Sequence, residues 1–197
     1  MSEVYLRRLS RWQAEQQRDA VADVHVAAYH GASGAEYRDR QGFLSRFEQH
    51  VQHPAFDMVV ADMGGLVGCA YGYRVPRTGD WWAGFRGELP TDIEELTASG
   101  RTFLLAELMV LPAHRRGGVA TRLGEWLLAR LDTDLVVAAV DGSGYDGREN
   151  AAAGTLLAWG WTKLGALDSH APSGSGSDAG PGRAGAAQDV WIRRPPR

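Results

Sequence analysis

The sequence predicts a single α/β domain over residues 1–197, with a mixed sheet of about seven strands, about four flanking helices and a strand–helix–strand unit at its centre. Three observations predict it. Short apolar runs of strand length alternate with segments in which apolar residues recur every three or four positions. Val67, Cys69, Tyr71, Tyr73 and Val75 alternate with small or polar residues just after Met63-Gly64-Gly65, the pattern of a hairpin strand with one buried face. An apolar run, Thr102 to Leu111, leads through a basic glycine turn into Val119, Leu123, Leu127 and Leu131 at i, i+4 spacing, with Trp126 and Leu128 widening the stripe. A second apolar run, Leu135 to Val140, follows it.

Taken in order, Val4 to Leu9 reads as a first strand and Gln13 to Tyr29 as a helix with Val21, Val24 and Ala28 on one face. Phe43, Phe47 and Val51 repeat every four residues through a second helix, Arg40 to Gln52, which Pro54 stops. Phe56 to Asp62 and Leu66 to Val75 form the hairpin. A long connection, Pro76 to Gly100, holds Trp81, Trp82 and Phe85 and a short helix at Thr91 to Ala98; a connection of this length is often functional. After the strand–helix–strand unit comes a polar loop, Asp141 to Glu149, then a helix capped by Asn150 and running to about Trp159. Trp161 to Leu167 and Asp189 to Arg194 read as the last strands. Between them, residues 168–188 are mostly Gly, Ala, Ser and Pro, too little apolar material to order a backbone, and a mobile loop is expected.

Composition narrows the class. Hydrophobic residues make up 44% and charged residues 23% of the chain, and no apolar run approaches the ~18 residues of a membrane span. A continuous apolar stretch of the secretory type is missing from Met1 to Arg11, so a cytoplasmic location is expected. Net charge is -3, which argues against a general nucleic-acid binder and makes any affinity for anions local. The one cysteine, Cys69, falls in a strand pattern and is expected to be a core thiol.

The local anion site is the turn itself. A helix start leaves its first backbone N–H groups without intrahelical partners and carries the positive end of the helix dipole. Gly117 and Gly118 let the backbone approach a phosphate, and Arg115, Arg116 and Arg122 add charge. His114 beside the turn reads as a solvated residue, and His25 and His30 as packing or surface residues.

The element order, together with Arg115-x-x-Gly118-x-Ala120 placed between a strand and a helix, resembles the GNAT-type N-acetyltransferase superfamily over nearly the whole chain. A looser match is Asn150, Ala153, Leu156, Leu157 and Gly160-Trp161. The resemblance implies a mostly antiparallel GNAT-like sheet with acetyl-CoA as donor. The backbone of Arg115, Arg116, Gly117, Gly118, Val119, Ala120 and Thr121 would hold its pyrophosphate, and the strand edge from Leu108 to Val110 would pair with the pantetheine amides. Asn150 would touch the pantetheine or a water. No metal is implied. The acceptor would be a primary amine of a small molecule or peptide; nucleic acid and membranes are not expected partners, and a homodimer is an open option.

Moving an acetyl group from a thioester to an amine requires a neutral amine, a polarised carbonyl and a proton for the leaving thiolate. Glu107 is the only carboxylate between Thr102 and Leu111 and is the candidate base; the competing reading is a strand-edge Glu bonded to a neighbouring loop. The tyrosine that many relatives carry in the late helix is replaced by Leu156 or Leu157, depending on alignment, which leaves Tyr145 or solvent as proton donor. Trp81, Trp82 and Phe85 either line an acceptor pocket suited to an amine cation or pin the long connection as a hydrophobic patch. Two rival functions remain at this level: a domain that binds acyl-CoA without turnover, and a nucleotide-phosphate enzyme, against which stands the absence of the Lys-Ser/Thr ending of a Walker loop.

Overall fold

The structure, a computed structural model, describes residues 3–29, 36–141, 151–168 and 187–195. The described residues form seven strands, numbered in chain order and hydrogen-bonded in the order β1-β2-β3-β4-β5-β7-β6, mostly antiparallel, as the sequence predicts. The contacts group the chain into two compact units, Met1–Arg74 with Leu105–Asp132, and Val75–Leu104 with Thr133–Arg197.

The first unit holds β1 (Tyr5–Leu9), α1 (Arg11–Gln16), α2 (Arg18–Tyr29), α3 (Glu36–Gln52), β2 (Asp57–Asp62), β3 (Leu66–Arg74), most of β4 (Thr102–Val110) and α5 (Val119–Leu128). The helix expected from Gln13 to Tyr29 starts earlier and is two helices. Ser10 closes a capping box with Gln13, its hydroxyl accepting from the Gln13 N–H at 3.3 Å and its own N–H donating to Gln13 Oε1 at 2.9 Å. Gln17 then leaves helical geometry for one residue, and α2 begins at Arg18. With the short helix at Thr91–Ala98 (α4), the described residues hold six α-helices where about four were expected.

β1 pairs antiparallel with β2, and β2 with β3. On one face of β3, Cys69 and Tyr71 join Phe43, Phe47, Val21 and Val24 in the cluster that α2 and α3 complete. The other face takes α5, whose Val119, Leu123 and Leu127 are buried. That helix ends at Leu128, so Leu131 lies beyond the stripe, and Trp126 points outward, 49% exposed, instead of widening it. Helical periodicity marks the buried arc, but only the packing partner fixes its edges.

Gly68 sets how closely α5 approaches. A Cβ there would lie 2.7 Å from the Met109 carbonyl oxygen and 3.3 Å from side-chain carbons of Leu123 and Val110. The carbonyl belongs to the sheet backbone and cannot swing aside. Gly68→Ala is therefore expected to lower unfolding free energy by about 2 kcal/mol, read from denaturant midpoints; an unchanged midpoint would show that the strand carrying Met109 gives way.

The second unit contains α4, β5 (Leu135–Asp141), α6 (Ala151–Ala158), β6 (Thr162–Leu167) and β7 (Gln188–Arg193), with the first three residues of β4. Those three, Thr102 to Leu104, pair in parallel with Leu135 to Val137, which completes the expected strand–helix–strand unit. β5 pairs antiparallel with β7 along Val136 to Asp141, and β7 with β6. Arg101 grips Asp134 through two bonds of 2.6 and 3.1 Å, fixing the start of β5. The long connection between β3 and β4 is ordered by its own core: buried Trp82 donates its indole N–H to Thr97 Oγ1 at 3.0 Å. The expected mobile loop lies almost wholly outside the described residues.

Candidate functional site

The site grows from the end of β4. After Val110 the chain makes a single turn of 3-10 helix at Pro112–His114, passes Arg115 in extended geometry, and enters α5 at Val119. Two residues between them are left-handed, Arg116 at φ +62° and Gly118 at φ +74°. For Arg116 this conformation costs about 1–2 kcal/mol, which the surrounding structure must offset. Gly118 is the N-cap of α5. Glycine offers no side-chain oxygen to the first helical N–H groups, and residues 115–118 are all exposed, so the helix start is open to an incoming anion.

The three arginines do different work. Arg115 donates Nε to the Val110 carbonyl at 3.1 Å and Nη2 to the Ala28 carbonyl at 2.5 Å. It is a strut between the end of β4 and the end of α2. Arg122 donates to the Val4 carbonyl at 3.2 Å. Arg116 is exposed at the turn. Sequence reasoning counted three charges there and did not foresee the strut. Upstream on β4, the Leu108 carbonyl accepts from the Tyr29 hydroxyl at 3.4 Å.

Glu107 is half-buried on β4. Its negative charge, added to burial, pushes the Cys69 thiol and the Tyr71 hydroxyl upward. Cys69 is a core thiol, as expected. Tyr71 is fully buried and shares a 3.3 Å hydrogen bond with His50 Nδ1. From the sequence Tyr71 reads only as a buried-face position of its strand, and His50 is not marked at all. The available signal was that His50 follows Phe47 by three positions, on the stripe that α3 turns inward.

Burial lowers His50 to about 4, and the neighbouring positive charges of His53 and Arg46 act in the same direction. The unfolded imidazole gains its proton near pH 6.5, while the folded one resists down to about 4, so falling pH favours the unfolded chain across that window. His50 alone should remove about 2 kcal/mol of stability between pH 7.5 and 5, and half-buried His53, also lowered by burial, acts in the same sense. Denaturant melts of His50→Leu are expected to show a shallower slope with pH; an identical slope would remove His50 as the source.

The remaining candidates separate. Asn150, Tyr145 and His30 lie outside the described residues. Leu156 is buried and Leu157 is 60% exposed. His25 is buried, stacked on Phe43 with ring centroids 4.4 Å apart. In the second unit, Phe85 lies against Gly165, where a Cβ would meet its ring at 2.7 Å, and Trp82 is buried edge-on to Phe85. Trp82 and Phe85 thus both make packing contacts within this unit. Half-buried Trp81 stands edge-on to Trp82.

No protein-family profile and no curated protein sequence matches the chain. Solved structures do. A Desulfovibrio desulfuricans protein assigned to the GNAT family of acetyltransferases superimposes with a TM-score of 0.61 at 16% identity, over 98% of this chain and 99% of that one. A GNAT-family acetyltransferase from Bacillus cereus gives 0.54 at 12% identity, over 99% of each chain. The ribosomal-protein-S18-alanine N-acetyltransferase of Escherichia coli gives 0.57 at 13% identity, over 98% and 94%. The fold of this chain is that of the GNAT-type acetyltransferases.

Proposed function

We propose that the chain is an N-acetyltransferase that moves an acetyl group from acetyl-CoA to a primary amine of a small molecule or protein by direct attack. The observation that carries this reading is the exposed turn at 115–118, with Arg116 and Gly118 left-handed and the start of α5 uncapped, at the end of a strand bearing a carboxylate. The backbone from Arg115 to Thr121 would take the pyrophosphate, and the β4 edge at Leu108 to Val110 the pantetheine amides. Acetyl-CoA supplies the activated thioester. Glu107, through a water, would take the proton that the attacking ammonium must lose, and a backbone N–H near Val110 would polarise the carbonyl. The acceptor is an amine in the E. coli enzyme named above, and amines are the first class to test here.

A second reading, an acyl-CoA-binding module without turnover, is favoured by Leu156 and Leu157 standing where many GNAT enzymes have a tyrosine acid. Calorimetric titration with coenzyme A, run beside a thiol-release assay over amines, aminoglycosides, amino acids and peptides, separates the two. Binding with turnover on one acceptor supports the enzyme; binding with none favours the module; no binding removes both.

A further inference from the structure

A departing thiolate needs a proton, and α6 offers only Leu156 and Leu157 where a phenol would serve. A hydroxyl stands instead at the edge of β4. Leu111 donates its N–H to the Val67 carbonyl of β3 at 2.9 Å, so by strand alternation the backbone groups of Leu108 and Val110 turn to the opposite edge. β4 pairs with β5 along Thr102 to Leu104, upstream of that stretch. Both outward carbonyls are met by side chains: Val110 by Arg115 Nε at 3.1 Å, and Leu108 by the Tyr29 hydroxyl at 3.4 Å. Tyr29 is the last residue of α2, and Arg115 also holds the carbonyl of Ala28 just before it. The Tyr29 ring is 53% exposed, with His25 tilted against it at 5.1 Å between centroids. A carbonyl can only accept, so the one hydrogen of the phenol points at the edge itself. At 3.4 Å the bond is long for a hydroxyl donor, and a better acceptor arriving there can take that hydrogen.

We propose that Tyr29 is the catalytic acid of the transfer, giving its hydroxyl proton to the departing sulfur of the donor. The proposal rests on the enzyme reading above, in which the donor lies along Leu108 to Val110 and an N–H near Val110 polarises its carbonyl. Sulfur is bonded to the carbon of that carbonyl, so it departs from the stretch of edge where the Tyr29 hydroxyl stands. The neutral amine forms the C–N bond, and the C–S bond breaks with its electron pair on sulfur. The Tyr29 proton moves to sulfur and yields the free thiol. The nitrogen, cationic after attack, loses a proton that returns through water to the phenolate, which restores the acid. α2 thus supplies the group that α6 lacks.

The first test needs no turnover and uses coenzyme A as the probe. Calorimetry establishes binding to the full chain, and the thiol of the bound molecule is then titrated by the ultraviolet absorbance of its thiolate. A phenol donating to sulfur stabilises the thiolate, so the bound thiol pKa is expected to rise by about 1 in Tyr29→Phe. Turnover follows: kcat of Tyr29→Phe should be about 100-fold lower, with coenzyme A affinity within about a factor of two. A merely structural tie between α2 and β4 would move neither the thiol nor this split. Should Tyr29→Phe not fold, 3-fluorotyrosine at the same position, a stronger acid of nearly the same shape, is expected to lower the bound thiol pKa. A thiol that titrates alike in parent and variant, or a Tyr29→Phe kcat equal to that of an active parent, overturns the proposal and leaves the enzyme reading standing. A parent that binds coenzyme A but acetylates no amine, or that does not bind it, overturns both.

Discussion

Glu107→Gln is expected to lower kcat/KM for acetyl transfer about 100-fold, the lower end of what general-base catalysis contributes, while leaving coenzyme A affinity within about a factor of two. The substitution keeps shape and removes only the ability to hold a proton, so a structural role would survive it. The split between turnover and donor affinity follows from placement: the pyrophosphate would rest on the turn beyond Val110, whereas Glu107 stands three residues earlier on β4, its charge bearing on Cys69 and Tyr71. The loss should be largest near neutral pH and shrink as rising pH deprotonates the amine without help. Equal rates for variant and parent from pH 6 to 9 would remove Glu107 as the base.

Gly118→Glu should weaken coenzyme A binding about 100-fold by calorimetry. A Cβ at Gly118 meets nothing within 4 Å, so the folded chain has room for a side chain, and its left-handed backbone adds only about 1–2 kcal/mol of strain. The damage comes from a carboxylate placed where a diphosphate would lie, a like-charge encounter costing several kcal/mol. Gly118→Ala carries the strain without the charge and should cost less than about tenfold. A folded Gly118→Glu variant with parental affinity would place the pyrophosphate elsewhere.

Much of this fold was readable because periodicity is a local property. The alternation from Val67 to Val75 and the run from Thr102 to Leu111 each specify a strand without reference to the rest of the chain. The backbone of the turn was equally legible, since two glycines before an amphipathic stripe mark a tight turn into a helix. What stayed hidden depends on partners distant in sequence. Alternation gives β4 two faces, but it does not tell that the charge on Glu107 bears on Tyr71 and Cys69 of β3. Arg115 looked like charge for a phosphate, and its commitment to Ala28 needs a helix end 87 residues earlier in the chain. The contacts of Trp82 with Thr97 and of Phe85 with Gly165 likewise join residues that no local pattern pairs.

The Arg115 strut has a thermodynamic consequence. Glycine-bearing loops commonly lose conformational freedom when they close on a phosphate, and that loss subtracts from affinity. Here one guanidinium, bonded to the carbonyls of Val110 and Ala28, anchors the entry to the turn before any ligand arrives. Ordering of the turn is thereby charged to folding, and a diphosphate bound there, as proposed, would meet a surface already preorganised. A lysine, with one point charge on a flexible stem, could not span both carbonyls in the same way, so Arg115 acts at this position through its planar reach.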